Sequence, residues 1–381
     1  ETEKGYELAA ELCPEGEELL YFEDFEDENA WGWYNVEDTQ YGYENIEGRG
    51  KVLSMLNSKE YTEVFYLDDF STNFCNKSAS ADYGTDHIWS LIYNSTNSLG
   101  YAYKSEDAAC SFAYSGLLNY NGGANDDLLI GASSDNTGPN YHLNGEIQEV
   151  IEYDVALNDA QRIIVSNYLA AKYARALTNN DVYNEDDNGD FDFEVAGIGR
   201  VDANNLHDDA QGTAIVRILN PTGLDDDEFM MWGHDVNAES PIEIIDIPAG
   251  VDARFERIWR VSEVNTSGTT VDVGSVDVRW DLEGRGVITA SDLRLLIDTD
   301  NDGSFADETP ISGATLNSGA IYEFSAVSGL ADNLRFTLGT ANASGTALLG
   351  PGPTGPGGVG RTDGASNLTL WLDANEILGL N

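Results

Sequence analysis

Alternation restricts this chain more than any other feature. The stretch "VDVGSVDVRWDL" sets Val276, Val278, Trp280 and Leu282 at every second position, with Asp277, Arg279 and Asp281 between them. A period of two sends one residue set to each face of an extended strand. Phe255, Trp259 and Val261 alternate with charged residues in the same way. From about residue 190 to 340 such runs repeat: "FEVAGIGRV", "TAIVRILN", "EFMMWGHD", "RFERIWRVSE", "LRLLIDTD", "AIYEFSAV" and "NLRFTLGT". They predict an antiparallel β-sandwich with one solvated face on each sheet.

An earlier region, from about residue 20, has the same β-like texture. Its strand candidates are "KVLSML", "EVFYLDDF", "HIWSLIYN", "LGYAYKS", "CSFAYS", "DLLIGAS" and "GEIQEVIEYD", divided by Asn, Asp, Gly and Ser turns. Many short strands at this spacing predict a second sandwich or a jelly roll. One convincing helix follows, "LNDAQRIIVSNYLAAKYARAL" over 157–177. Asn158 and Gln161 have capping-box spacing, and Asn179 and Asn180 mark its end. Ile164, Val165, Tyr168, Leu169 and Lys172 share a face that packs down.

The expected fold class is therefore all-β. Residues 1–19 form an acidic arm, 20–178 a jelly roll closed by the helix, and 179–340 the second sandwich. Residues 341–366 contain Pro351, Pro353 and Pro356 among many glycines, and read as a linker. Residues 367–381 begin with a strand in which Leu368, Leu370 and Leu372 alternate with Thr369, Trp371 and Asp373. This last strand has no following domain to pair with. Two explanations stand: it opens a further repeat of a longer array, or it inserts as a donor strand into the first sandwich of another copy.

Charge narrows the partners. The chain has 68 acidic and 19 basic residues, a formal net charge of −49. Such a surface repels phosphate, which argues against nucleic acid and anionic membranes. No run approaches the roughly 20 apolar residues of a membrane span. Glu1 opens in a polar segment, as expected of a mature or trimmed chain. Acidity, few lysines and N-x-S/T sequons at Asn76, Asn94, Asn265, Asn342 and Asn367 favour a secreted or cell-surface setting. Cys13, Cys75 and Cys110 fit no zinc spacing, and Cys75 with Cys110 is the candidate disulfide.

Three stretches carry a family likeness. "NGEIQEVIEYDVALNDAQRIIVSNYLAAKYA" resembles the closing strand and helix of laminin-G-like (concanavalin-type) domains in large secreted Bacteroidota proteins. Gly145, Ile147, Glu149, Val150, Ile151, Tyr153, Leu157, Arg162, Tyr168, Leu169, Ala170, Lys172 and Tyr173 carry that match. "EVAGIGRVD", "FMMWGHD", "RIWRVSE", "LRLLIDTDNDGSF" and "LRFTLGT" are similar, in order, to the β-sandwich that commonly follows such a domain. "SNLTLWLDANEI" looks like the opening of another laminin-G-like unit. The resemblance implies a secreted or cell-surface protein, adhesive or structural, of a kind often exported by the type nine system. It also implies calcium at a rim of the laminin-G-like domain.

The acidic loops supply the chemistry. "DTDNDGSF" sets Asp298, Asp300 and Asp302 at positions 1, 3 and 5 with Gly303 at 6, and Ser304 at 7. Alternating carboxylates converge on one hard cation and the glycine allows the sharp turn, so this is an EF-like calcium loop. Thr309 stands where an EF-hand has its glutamate, with Asp307 and Glu308 just before it. "NEDDNGDFD", with Asp186, Asn188 and Asp190, is a looser version, and Asp126, Asp127 and Asp135 are further metal candidates. A solvated acidic turn is the bland reading of each.

Enzyme motifs are sparse. A laminarinase-like site needs E-x-D-x-x-E on a strand. The nearest string, Glu185-x-Asp187-x-x-Asp190, lies in a Gly/Asn loop. Glu149 and His234 are the remaining candidates for chemistry, and each reads better as structural. The expected function is a non-enzymatic extracellular surface protein: an adhesin module, or a fibre subunit joined head-to-tail through Leu368, Leu370, Trp371 and Leu372. It would associate with itself or with neighbouring repeats. The alternative is a carbohydrate-binding module, with Trp31, Trp33 and Tyr34 (and Tyr41 and Tyr43) stacking on glycans or other cell-surface polymers.

Overall fold

A computed structural model describes residues 54–58, 62–67, 72–78, 87–94, 99–113, 133–135, 138–140, 147–153, 155–183, 189–237, 242–283, 287–343 and 368–373. All belong to the compact unit Arg49–Asn381. The described residues are mainly β, with one long helix and several antiparallel sheets.

The first region holds β1 (Ser54–Ser58), β2 (Thr62–Leu67), β3 (Thr72–Ser78), β4 (Trp89–Asn94), β5 (Leu99–Lys104), β6 (Asp107–Ala113), β7 (Ser133–Asp135), β8 (Gly138–Asn140) and β9 (Glu149–Tyr153). They pair as β1-β2-β3, β4-β5-β6 and β7-β8. Strand β3, which carries Cys75, lies against β6, which carries Cys110, and Cys110 is disulfide-bonded.

Helix α1 spans Asp159–Tyr173, with the capping box at Asn158 and Gln161 as expected. It stops a turn earlier than the sequence suggests. Ala174 turns left-handed at φ 49° and ends the ladder, ahead of the asparagine pair.

The second region holds β10 (Phe193–Asp202), β11 (Asn205–His207), β12 (Asp209–Gln211), β13 (Val216–Leu219), β14 (Glu228–His234), β15 (Ile242–Glu243), β16 (Ala253–Phe255), β17 (Trp259–Asn265), β18 (Val276–Asp281), β19 (Leu293–Asp298), β20 (Thr315–Ser318), β21 (Ile321–Val327) and β22 (Arg335–Thr340). One sheet runs β12-β13-β18-β21-β20. The other has eight strands, β11-β10-β14-β17-β22-β16-β15, with β19 also on β22. Between the sheets Trp259 and Trp280 meet edge to face at 5.1 Å, ringed by Phe255 and Phe336. Val276, Val278 and Trp280 point into this core while Asp277, Arg279 and Asp281 face outward, as alternation predicts.

The eight-stranded sheet departs from the expected single buried face. Helix α1 covers its outer side through Ala160, Ile163, Ile164, Tyr168 and Ala171, which pack on Val195, Phe229, Met231 and Val264. A strand buried on both faces has no solvated set, hence the unbroken runs of β10 and β14. Position 199 needs glycine because a Cβ there would sit 2.1 Å from the Phe229 ring of the neighbouring strand. The two charges of β17 are buried on opposite faces: Arg260 and Glu263 are essentially inaccessible. Glu263 accepts the Val273 N–H, and Arg260 lies beside the Tyr183 and Phe191 rings. The helix thus belongs as much to the second sandwich as to the first region.

Strand β23 (Leu368–Asp373) is not an orphan. It pairs antiparallel with β9 of the same chain, Leu372 opposite Val150 and Trp371 opposite Ile151. Neither a missing repeat nor another copy is needed to give it a ladder here.

Candidate metal centre

The "DTDNDGSF" turn leaves β19 at Asp298. Leu296 and Phe305 are buried with Val251, which pins both ends of the turn to the sandwich. Asn301 and Gly303 adopt φ of 57° and 89°, so the chain doubles back. A Cβ at Gly303 would press on Arg335 Nη1 at 3.0 Å, giving glycine two reasons to stand there. Asp298 is fully buried and accepts the N–H groups of Asp302 at 3.1 Å and Gly303 at 2.9 Å. Asp300 and Asp302 are exposed.

One carboxylate oxygen from each of Asp298, Asp300 and Asp302 lies within 4.8 Å of the others. Oxygens no farther apart than that have a common point within about 2.8 Å of all three, which small side-chain shifts could bring to the roughly 2.3–2.6 Å of calcium–oxygen bonds. Burial pushes the Asp298 carboxyl above its ordinary value, against the Gly303 and Asp302 N–H groups and Arg335, whose Nη1 is 3.5 Å away. With Arg335 as the one adjacent cation among the described residues, three carboxylates leave a net negative set. Hard oxygen donors of that kind suit calcium better than a transition metal.

The outer candidates have partners of their own in the structure. Glu308 turns to the start of the loop and accepts Thr299 N–H at 2.6 Å. Ser304 donates its N–H to Asp302 and its hydroxyl to Asp246, at 2.8 and 2.7 Å. Asp307 is exposed. Asp246 was invisible as a partner because it comes from the distant segment before β16. It accepts Phe305 and Ala306 N–H groups and pairs with Arg254 at 2.9 Å. Burial would raise its carboxyl, but Ser304, Phe305 and Arg254 hold it below the usual range. Asp246 therefore ties down the exit of the turn while Asp298 ties down its entrance.

Of the weaker metal candidates, Asp190 is described and exposed, and Asp135 lies on β7. Asp126, Asp127, Asp186 and Asn188 lie outside the described residues, as do Trp31, Trp33, Tyr34, Tyr41 and Tyr43.

The two candidates for chemistry are held in place by neighbours. Glu149 accepts Tyr173 OH at 2.9 Å and faces Lys172 Nζ at 3.4 Å, which ties β9 to the end of α1. His234 bonds through Nε2 to Glu194 at 2.7 Å and through Nδ1 to the Asp235 carbonyl, and stacks on Phe193. Burial would raise the Glu194 carboxyl, but the His234 ring, Arg257 and Thr213 pull it below its ordinary value. Both nitrogens of the histidine are occupied.

A family model described as a domain of unknown function (DUF8202) matches residues 161–332. No curated protein and no solved structure matches the chain. The matched segment begins inside α1 and so groups the helix with the second sandwich, as the packing does.

Proposed function

We propose that this chain is a non-enzymatic, extracellular surface module, an adhesin module or a subunit of a self-associating surface assembly, stiffened by calcium in its second sandwich. The convergence of Asp298, Asp300 and Asp302 on a turn pinned by Phe305 carries the reading. A cation there would link the end of β19 to a loop already latched to Asp246. Two further observations support it. Cys110 is disulfide-bonded, which suits an oxidising compartment. Glu149 and His234 are engaged by structural partners rather than aimed at open space. Among the described residues no helix is long and apolar enough to cross a membrane.

The test is thermal unfolding of the full chain against calcium, beside an Asp300→Asn/Asp302→Asn variant. Both residues are exposed, so the variant should fold. Calcium at about 100 times its Kd stabilises the folded state by roughly 2.7 kcal/mol, a rise of several degrees in Tm. The expected result is that rise in the parent, reversed by EDTA, and a much smaller one in the variant. Equal rises would assign the effect to the acidic surface at large and reject the site.

A further inference from the structure

We propose that β9, Glu149–Tyr153, is an acceptor edge for the Leu368–Asp373 strand of a second copy of this chain, with the chain's own tail as its occupant in the closed monomer. This deepens the self-association in the reading above by naming the surface and the partner.

The ladder itself is the first observation. Asp373 stands opposite Glu149, Leu372 opposite Val150, Trp371 opposite Ile151 and Leu370 opposite Glu152, with an irregularity before Leu368 meets Tyr153. Among the described residues this is the only ladder β9 makes, a two-stranded sheet. Without the tail, that edge would present unpaired N–H and C=O groups.

The acceptor is fixed to the body and the donor is tethered. Ile151 and Tyr153 pack against the core beneath α1, and Glu149 is bonded to Tyr173 and Lys172. Strand β23, by contrast, follows the Gly/Pro-rich stretch 344–367. Every copy carries the same donor and the same acceptor, so the ladder formed within one chain can form between two. Donor and acceptor are different surfaces, so exchange is heterologous and can propagate as an open chain of copies.

Concentration decides between the two forms. Donor and acceptor carried on one chain meet at an effective concentration on the order of millimolar. The closed monomer therefore wins at micromolar concentration. Exchange competes when chains reach millimolar density, as they do when crowded on a surface.

The experiment uses a fluorescent peptide of residues 366–376 and the chain shortened to 1–365. The expected result is saturable one-to-one binding to the shortened chain and at least tenfold weaker binding to the full chain at micromolar concentration. A Leu370→Pro/Trp371→Pro peptide should not bind, because one of these two adjacent prolines removes a ladder N–H whichever way the strand faces. In parallel, the full chain is held at millimolar concentration, diluted and sized at once. Exchanged oligomers are expected, and are absent when the full chain carries Leu370→Pro/Trp371→Pro. A folded shortened chain that ignores the peptide overturns the proposal, as does equal binding of the proline peptide. If the shortened chain does not fold, the sizing decides: a full chain that stays monomeric at millimolar concentration overturns it. Calcium stabilisation is read at Asp300 and Asp302, so its outcome is independent of these.

Discussion

Glu106 should be the most costly single carboxylate to remove from the first region. It sits with Ser105 in the tight turn between β5 and β6, both at positive φ, 44° and 66°. Left-handed backbone disfavours side chains other than Gly, Asn and Asp, so a buried glutamate there needs compensation. Its side chain is fully buried and paired with Arg162 of α1, whose guanidinium stacks 3.8 Å from the Tyr103 ring centre. Ser166 Oγ donates to it at 2.7 Å and Asn180 Nδ2 at 2.9 Å. Around it, Ser105 N–H bonds the Ile88 carbonyl and Thr178 N–H bonds the Ser105 carbonyl. One carboxylate thus joins a hairpin, the helix and the segment leaving the helix. Glu106→Ala would strand Arg162 with only Asp159 at 3.3 Å. Breaking a buried pair by removing one partner costs about 3–5 kcal/mol. Glu106→Gln keeps the shape and one acceptor oxygen, and should cost about half as much. Denaturant unfolding gives the totals. Hydrogen exchange at the Ser105 and Thr178 amides locates the loss, which should fall there before it reaches β14 or β17. A loss below about 1 kcal/mol for the alanine variant would refute the reasoning.

Asn167 makes a comparable joint beside that of Glu106, also through Asn180. It donates to the Ile163 and Asn180 carbonyls and accepts the Val182 and Tyr183 N–H groups. Asn167→Ala leaves two buried N–H groups unpaired and should cost about 2–4 kcal/mol in denaturant unfolding. Glu263 gives a pH signature: burial pushes its carboxyl up to about 7, against the Val273 N–H that favours the charged form. An acid with a raised folded pKa contributes stability that is complete below its unfolded value and is lost as pH rises through about 7. Between pH 4.5 and 7 the parent should therefore lose up to about 3 kcal/mol relative to Glu263→Gln, and a constant difference across that range would contradict it.

The parts of the fold that a local pattern encodes were legible. Alternation on β18 placed Val276, Val278 and Trp280 in the core, and the spacing of Asn158 and Gln161 placed the cap. The Asp298, Asp300 and Asp302 register was also local, and the turn brings those residues together. What failed was third-layer burial. Arg260 and Glu263 read as solvated because charge normally marks solvent, yet the segment after α1 covers Arg260, and Glu263 shares the inner face of β17 with Trp259 and Val261. The unbroken apolar text of β10 and β14 was the available sign. Asp246 and Arg335 reach the Asp298–Ser304 turn only through tertiary folding, and no spacing in the sequence announces them. The register of β23 on β9 is long-range for the same reason, although both segments show strand composition.

Hydrogen exchange at the amides of Glu149–Tyr153 tests the central claim about the tail most directly. The full chain at micromolar concentration is compared with the chain shortened to 1–365, alone and with the 366–376 peptide. The ladder predicts protection in the full chain, faster exchange at the amides facing the tail when it is removed, and protection restored by the peptide. Identical exchange in all three samples would show that β9 does not receive the tail, and would remove the basis for exchange between copies.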